Sequence, residues 1–322
     1  MMGANRDASR ASAAAPEFRE EILRGLRAHA KMIAPKYFYD ERGARLFEEI
    51  CQQPEYYLTS AELEILRACA PEIGALAGPR CALVEYGSGA GVKIRLLLDA
   101  LERPASYTPV DISRRQLADV AASLGRDYPA LTIRPFCADY TRPLDIPPLP
   151  VRARRIGFFP GSSIGNFHPP EAIAFLRRVR QTLGHDGAMV LGVDRRKDVR
   201  TLNAAYNDAR GVTAEFNRNV LARLNRELGA NFDVSLFRHR AFFNEAASRI
   251  EMHLESLAHH CVSVAGQRIS FEAGETIWTE SSYKYDFDAL RVIVAAAGFE
   301  ITRLWSDSRE LFWVAYLSVN PA

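Results

Sequence analysis

Cysteine is sparse in this 322-residue chain: Cys51, Cys69, Cys81, Cys137 and Cys261 lie far apart, with no C-x-x-C pair. That scatter excludes a disulfide framework or cysteine zinc site and fits a reducing compartment. The seven histidines include no H-E-x-x-H. His259 and His260 are adjacent, so on a strand they would point to opposite faces. We read them as a solvated pair and expect no metal. No apolar run approaches the ~20 residues that span a bilayer. The opening MMGANRDASRASAAAPEFRE lacks the apolar stretch of a secretory signal. An excess of one charge is missing too, since 41 Lys+Arg against 39 Asp+Glu leave +2. Recognition of nucleic acid through its phosphates is therefore disfavoured. No internal repeat or low-complexity tract is present. The expectation is a cytoplasmic monomer with neither membrane nor nucleic acid as partner.

What is present is an alternation. Residues 1–15 are Ala/Ser/Arg-rich without periodicity and read as a disordered tail. Ile22, Leu23 and Leu26 mark a helix from Phe18 to Ala30, and Ser60 reads as the cap of another. Then come five buried strands, each followed by a turn and most by a helix: Ala82 to Tyr86, Tyr107 to Asp111, Leu131 to Ile133 running toward Asp139, Arg155 to Phe159, and Ala188 to Asp194. Strand and helix alternating in this way specify a doubly wound, Rossmann-like parallel α/β sheet. The alternation stops near Asp198. Helical stretches at about 198–209 and 212–228 follow, then strands at 237–244, 249–257 and 262–269. A helix ending at Gly298 and strands at 301–305 and 311–317 close the chain. We therefore expect a sheet domain of residues 61–195 and 286–322, interrupted by an α+β domain of residues 16–60 and 196–285.

The first strand runs into Gly87-Ser88-Gly89-Ala90-Gly91 and a helix. Glycines admit a ligand close to the backbone, and a helix start offers free N–H groups. Read alone, the same turn is an ordinary strand–helix connection. Its G-x-G-x-G spacing differs from the G-x-G-x-x-G of dinucleotide folds, which disfavours an NAD-linked oxidoreductase. Glu85 precedes the first glycine by two. Asp111 ends the second strand, where a carboxylate accepts ribose hydroxyls, and Asp139 ends the third, where it can take an adenine amine. This series resembles the class I methyltransferases that bind S-adenosylmethionine, and the last two strands resemble their closing hairpin. The expected sheet then has seven strands.

Further segments narrow the likeness: Pro35-Lys36-Tyr37-Phe38-Tyr39-Asp40, Pro54-Glu55-Tyr56-Tyr57-Leu58-Thr59, Gly161-Ser162-Ser163-Ile164-Gly165-Asn166, Ala205-Tyr206-Asn207-Asp208 and Glu280-Ser281-Ser282-Tyr283-Lys284-Tyr285. In this order they look like the histidine-specific N-alpha-methyltransferases of ergothioneine biosynthesis, over nearly the whole chain from Glu17. The resemblance implies that Gly87, Lys93, Asp111, Asp139 and Tyr140 hold S-adenosylmethionine. It also implies that Tyr56, Glu280 and Ser282, with Ser281 alongside, face the imidazole of L-histidine. Asn166 and Tyr206 would hold the carboxylate and amine. Asn166 and Tyr39 would serve the reacting amine, and three transfers would give the betaine hercynine. One departure is Gly-Ala-Gly-Val-Lys, where family members more often carry Ser or Thr and a polar residue before the lysine.

The chemistry agrees. Displacement at a sulfonium methyl needs a neutral amine lone pair held within ~3–3.5 Å, and neither metal nor covalent nucleophile. An α-amino group titrates at about 7.7–8.0, so its deprotonation costs little. Uncharged Asn166 and Tyr39 suit an amine that ends as a trimethylammonium, whereas Glu280 suits a ring N–H. Taken singly, Tyr39, Tyr56 and Tyr57 read as an aromatic packing cluster, Glu280 as a surface carboxylate, Asn166 as a loop cap and Met252 as core. The basic runs at Arg152–Arg155 and Arg195–Lys197 read as solvated loops. The competing functions are methylation of another aromatic amino acid, such as tryptophan, and an idle S-adenosylmethionine-binding regulator.

Overall fold

A computed structural model describes residues 16–89, 91–144, 146, 150 and 153–320. The tail at 1–15, Ala90 of the glycine turn and Arg152 lie outside the described residues. The chain divides into two compact units. One comprises the segment up to Tyr56 with Val199–Asn244 and Ile250–Glu280; the other comprises Tyr57–Asp198, Glu245–Arg249 and the segment from Ser281 onward.

The second unit is built on a seven-stranded sheet. Its strands are β1 (Ala82–Tyr86), β2 (Ser106–Asp111), β3 (Phe136–Cys137), β4 (Arg155–Phe159), β5 (Ala188–Asp194), β6 (Phe299–Ser306) and β7 (Phe312–Val319). They lie in the order β6-β7-β5-β4-β1-β2-β3. Neighbours from β5 to β3 run parallel, while β7 is antiparallel to both β6 and β5. This is the doubly wound α/β sheet with the antiparallel closing hairpin expected above. All five residues of β1 and all seven of β5 are buried. Such continuous burial is what a parallel strand covered on both faces requires. Val84, Tyr86, Phe159, Phe175, Leu191 and Leu290 belong to one core cluster on this sheet.

Several local expectations change. The run at Leu131–Ile133 makes one isolated bridge, Tyr107 to Ile133, and the third strand is the two-residue β3 farther on. Too few apolar residues there can be buried to hold a longer strand. The helix expected to start at Ser60 spans Tyr57–Ala77, and Ser60 Oγ donates back to Tyr57 O at 3.0 Å instead of capping. Ser113 does cap the next helix, accepting from Gln116 N.

The first unit packs helix Val212–Leu228 through buried Phe216, Val220, Leu221 and Leu224. A four-stranded sheet contains Lys31–Met32, Thr276–Tyr283, Arg249–Ser256 and Phe237–Asn244 in that order. Thr276–Tyr283 was not read from the sequence as a strand. The single strand expected at 262–269 is instead a hairpin, His260–Val264 with Gln267–Phe271, turning at Ala265 and Gly266, both at positive φ. His260 is partly buried and stacks on Phe271, which corrects its reading as solvated; His259 is exposed and meets Glu272 at 2.9 Å. Among the described residues no helix is long and apolar enough to cross a membrane.

Candidate active site

In the sheet unit, the carboxyl ends of β1 and β2 place the glycine turn beside Asp111. Gly87 (φ +76°) and Gly89 (φ +49°) take the left-handed backbone that favours glycine. A Cβ on Gly87 would lie 3.6 Å from the Tyr140 ring, so the turn and that ring bound one cradle. Tyr140 is held edge-on by Phe159 and Phe175. Burial pushes its phenol well above the ordinary range, so it serves as a neutral hydroxyl.

Asp111 Oδ1 accepts Ser113 N–H at 2.9 Å. Burial raises its carboxyl, against lowering by backbone N–H groups of Ser113, Gly89, Ile112 and Ser88. Ser88 Oγ is buried without a hydrogen-bond partner among the described residues. Ile112, next to Asp111, is 43% exposed, an apolar side chain left at the strand end. Asp139 stands two residues past β3, and its Oδ1 accepts Thr141 N at 2.9 Å. A glycine-rich turn, a half-buried carboxylate at the end of the second strand and the flat ring of Tyr140 suit a nucleoside whose base is planar and whose hydroxyls need an acceptor. The residues present therefore fit S-adenosylmethionine.

Two acidic side chains stand near Lys93 beside this cradle: Glu85, expected from the glycine motif, and Glu62, which the sequence reading missed. Glu85 is buried in β1 and accepts from the Tyr107 hydroxyl; burial raises its carboxyl to about 8, outweighing that bond and the charge of Lys93. Glu62 has no exposed surface and pairs with Lys93 Nζ at 2.5 Å. Its two oxygens also accept Gly161 N–H at 3.0 and 2.9 Å. A Cβ on Gly192 would overlap Glu62 Oε1, so glycine in β5 makes room for the carboxylate. A signal existed for Glu62: Leu58, Ile65 and Leu66, four before and three and four after it, are all buried on its helix.

Asn166 ends a short 3-10 turn, Ser163–Asn166, and is half-buried. Gly165 abuts the backbone of Tyr283, 2.8 Å from where its Cβ would sit to Tyr283 O. The turn with Asn166 thus lies against the end of the strand that carries buried Ser281 and Ser282. Lys284 Nζ donates to Ser282 Oγ at 2.9 Å and pairs with Asp194 at 2.6 Å, both wholly buried. Tyr57 donates to both Asp194 oxygens at 2.9 Å, and Lys197 adds a second ammonium to the same carboxylate. Lys197 is therefore buried rather than a solvated loop residue, and Tyr57 belongs to an ionic cluster rather than an aromatic one. Burial would raise Asp194, but the Lys284 and Lys197 charges hold it below the usual carboxylate range. Burial lowers Lys197 to about 8 despite Asp194.

In the other unit, Tyr39, Tyr56, Tyr206 and Glu280 come together. Tyr56 meets Tyr206 edge-on, with ring centroids 6.2 Å apart, and Phe47 stands edge-on to both Tyr56 and Tyr39. Burial raises the Tyr56 phenol well above its usual value, and Tyr206, Cys51, Glu280 and Tyr39 each push it further. Tyr206 is buried, while Tyr39, Tyr56 and Glu280 are half-buried. Neutral hydroxyls around one carboxylate and flat ring surfaces suit a small aromatic molecule bearing an N–H. Met252 is core, as read.

The histidine-specific, S-adenosylmethionine-dependent methyltransferase family model matches residues 18–319. The histidine N-alpha-methyltransferase of Mycolicibacterium smegmatis is 41% identical over 302 residues, covering 92% of this chain and 93% of that protein. That of Mycobacterium tuberculosis is 41% identical over 294 residues, covering 90% and 91%. Ergothioneine biosynthesis protein 1 of Neurospora crassa is 30% identical over 291 residues, covering 84% of this chain and 31% of that protein. With this agreement along nearly all its length, the chain belongs to the histidine-specific, S-adenosylmethionine-dependent methyltransferase family.

Proposed function

We propose that this enzyme transfers methyl groups from S-adenosylmethionine to the α-amino nitrogen of L-histidine, three times in succession, giving N,N,N-trimethylhistidine (hercynine) in ergothioneine biosynthesis. The gathering of Tyr39, Tyr56 and Tyr206 about Glu280 carries this reading. S-adenosylmethionine supplies an electrophilic sulfonium methyl. Gly87, Lys93, Asp111, Asp139 and Tyr140 hold it, with Asp111 on the ribose and Lys93 on the methionine end.

On the acceptor side, Glu280 takes the imidazole N–H, and Ser282, flanked by Ser281, or Tyr56 serves the other ring nitrogen. Tyr206 and Asn166 hold the carboxylate and the amine. Asn166 and Tyr39 orient the nitrogen through uncharged groups. A carboxylate in their place would favour the protonated amine, which has no lone pair to give. The residue set 61–195 and 286–322 forms the S-adenosylmethionine-binding domain, and 16–60 with 196–285 the substrate-binding domain. The exposed thiols of Cys137 and Cys261 suit a reducing compartment, and the enzyme acts as a cytoplasmic monomer.

Replacing Glu280 tests the acceptor. Glu280→Ala raises the KM for histidine at least tenfold, about 1.4 kcal/mol, with little change in S-adenosylhomocysteine affinity. An unchanged KM removes Glu280 from the imidazole, and a wild-type rate on tryptophan with none on histidine overturns the substrate.

A further inference from the structure

His239, on the strand Phe237–Asn244, belongs to no role assigned above. Its Nε2 lies 2.9 Å from the backbone oxygen of Tyr206, and its Nδ1 lies 2.9 Å from Asn217 Nδ2. Asn217 has no exposed surface, and its amide nitrogen also donates to His253 O at 3.0 Å. Its Oδ1 accepts from the Thr279 hydroxyl at 2.8 Å, which also lies 3.0 Å from Met252 O. Thr279, buried, directly precedes Glu280.

These contacts allow one arrangement of hydrogens. The His253 carbonyl can only accept, so the amide group facing it and His239 is the Asn217 nitrogen. His239 Nδ1 must then accept, which leaves Nε2–H to donate to Tyr206 O. A flipped Asn217 would set its oxygen against the His253 carbonyl, and an imidazolium would set two donors face to face. The imidazole is accordingly neutral: burial lowers it and Arg218 adds to this, against the Tyr206 carbonyl and Asp208. The chain Tyr206–His239–Asn217–Thr279 thus ties the backbone of one pocket tyrosine to the strand position beside the pocket carboxylate.

We propose that His239 is a positioning residue for the acceptor pocket, fixing Tyr206 relative to Glu280 through Asn217 and Thr279. The inference rests on the reading that Tyr206 and Glu280 hold histidine. His239 does not touch the substrate itself. It sets the spacing of two groups that do, so its loss acts on acceptor binding and leaves the cofactor cradle as it is.

The test compares His239→Phe, His239→Gln and Asn217→Leu with the wild-type enzyme, measuring KM and kcat for histidine and the calorimetric affinity for S-adenosylhomocysteine. His239→Phe keeps the ring and removes both hydrogen bonds. It is expected to raise KM about tenfold with kcat within about threefold and unchanged S-adenosylhomocysteine affinity. His239→Gln retains a donor toward Tyr206 O and recovers most of the loss. Asn217→Leu breaks the chain from its other end and gives the same split, which serves if His239→Phe does not fold. A wild-type KM in His239→Phe or Asn217→Leu overturns the proposal. So does an equal loss of S-adenosylhomocysteine affinity, which marks a general structural role. Failure of the underlying reading shows elsewhere, as an unchanged KM in Glu280→Ala.

Discussion

The ammonium of Lys93 lies 2.5 Å from the carboxylate of Glu62, a side chain with no exposed surface. Both Glu62 oxygens also accept the Gly161 N–H. One buried carboxylate therefore fixes the first turn of the helix after the glycine turn and the loop after β4. Lys93 is thereby held as an oriented donor whose charge is already partnered.

Glu62→Gln keeps an acceptor for Gly161 but gives up the charge that holds Lys93. We expect the Kd for S-adenosylhomocysteine, measured by titration calorimetry, to rise about tenfold, or ~1.4 kcal/mol. An unchanged Kd refutes this role for Glu62.

Glu85 makes stability depend on pH. Its carboxyl is raised to about 8 by burial, whereas an unfolded glutamate ionises at about 4.3. Between these values the native chain holds a proton that the unfolded chain has lost, so stability falls as pH rises. The contribution is complete below the unfolded value and gone above about 8. Glu85→Gln mimics the neutral form. In urea denaturation from about pH 6 to pH 9, wild type loses about 2 kcal/mol more than the variant. Parallel curves contradict the assignment.

Lys284 and Lys197 share the buried carboxylate of Asp194. Lys284→Met leaves Asp194 with one ammonium and Tyr57, and breaking such a buried pair costs about 3 kcal/mol. Adding Asp194→Asn removes the stranded charge and restores part of the loss. A single variant as stable as wild type in urea denaturation counts against this.

The sheet was legible because its strands are short, apolar and separated by turns: β1, β4 and β5 stand where their composition puts them. The third strand and the strand Thr276–Tyr283 were not legible. Each depends on neighbours brought from elsewhere in the chain, as when Ile277 and Trp278 pair with Lys31 and Met32. Among site groups, Asp111 could be placed because it ends a strand after a glycine turn. The tyrosine cluster was legible only through the order of several motifs, since one tyrosine reads the same in a core and in a pocket. Lys284 gave no signal of its own: nothing in the polar segment around it marks a buried lysine until Asp194 is seen beside it. Glu62 lay on an apolar helix face, a pattern that spacing alone could have exposed.

Incubation of the purified enzyme with L-histidine and methyl-labelled S-adenosylmethionine, followed by mass spectrometry and NMR of the product, tests the account most directly. It predicts a product carrying three labelled methyl groups, all on the α-nitrogen, with both ring nitrogens unmodified. Label on a ring nitrogen, or no methylation of histidine while tryptophan is methylated, contradicts it.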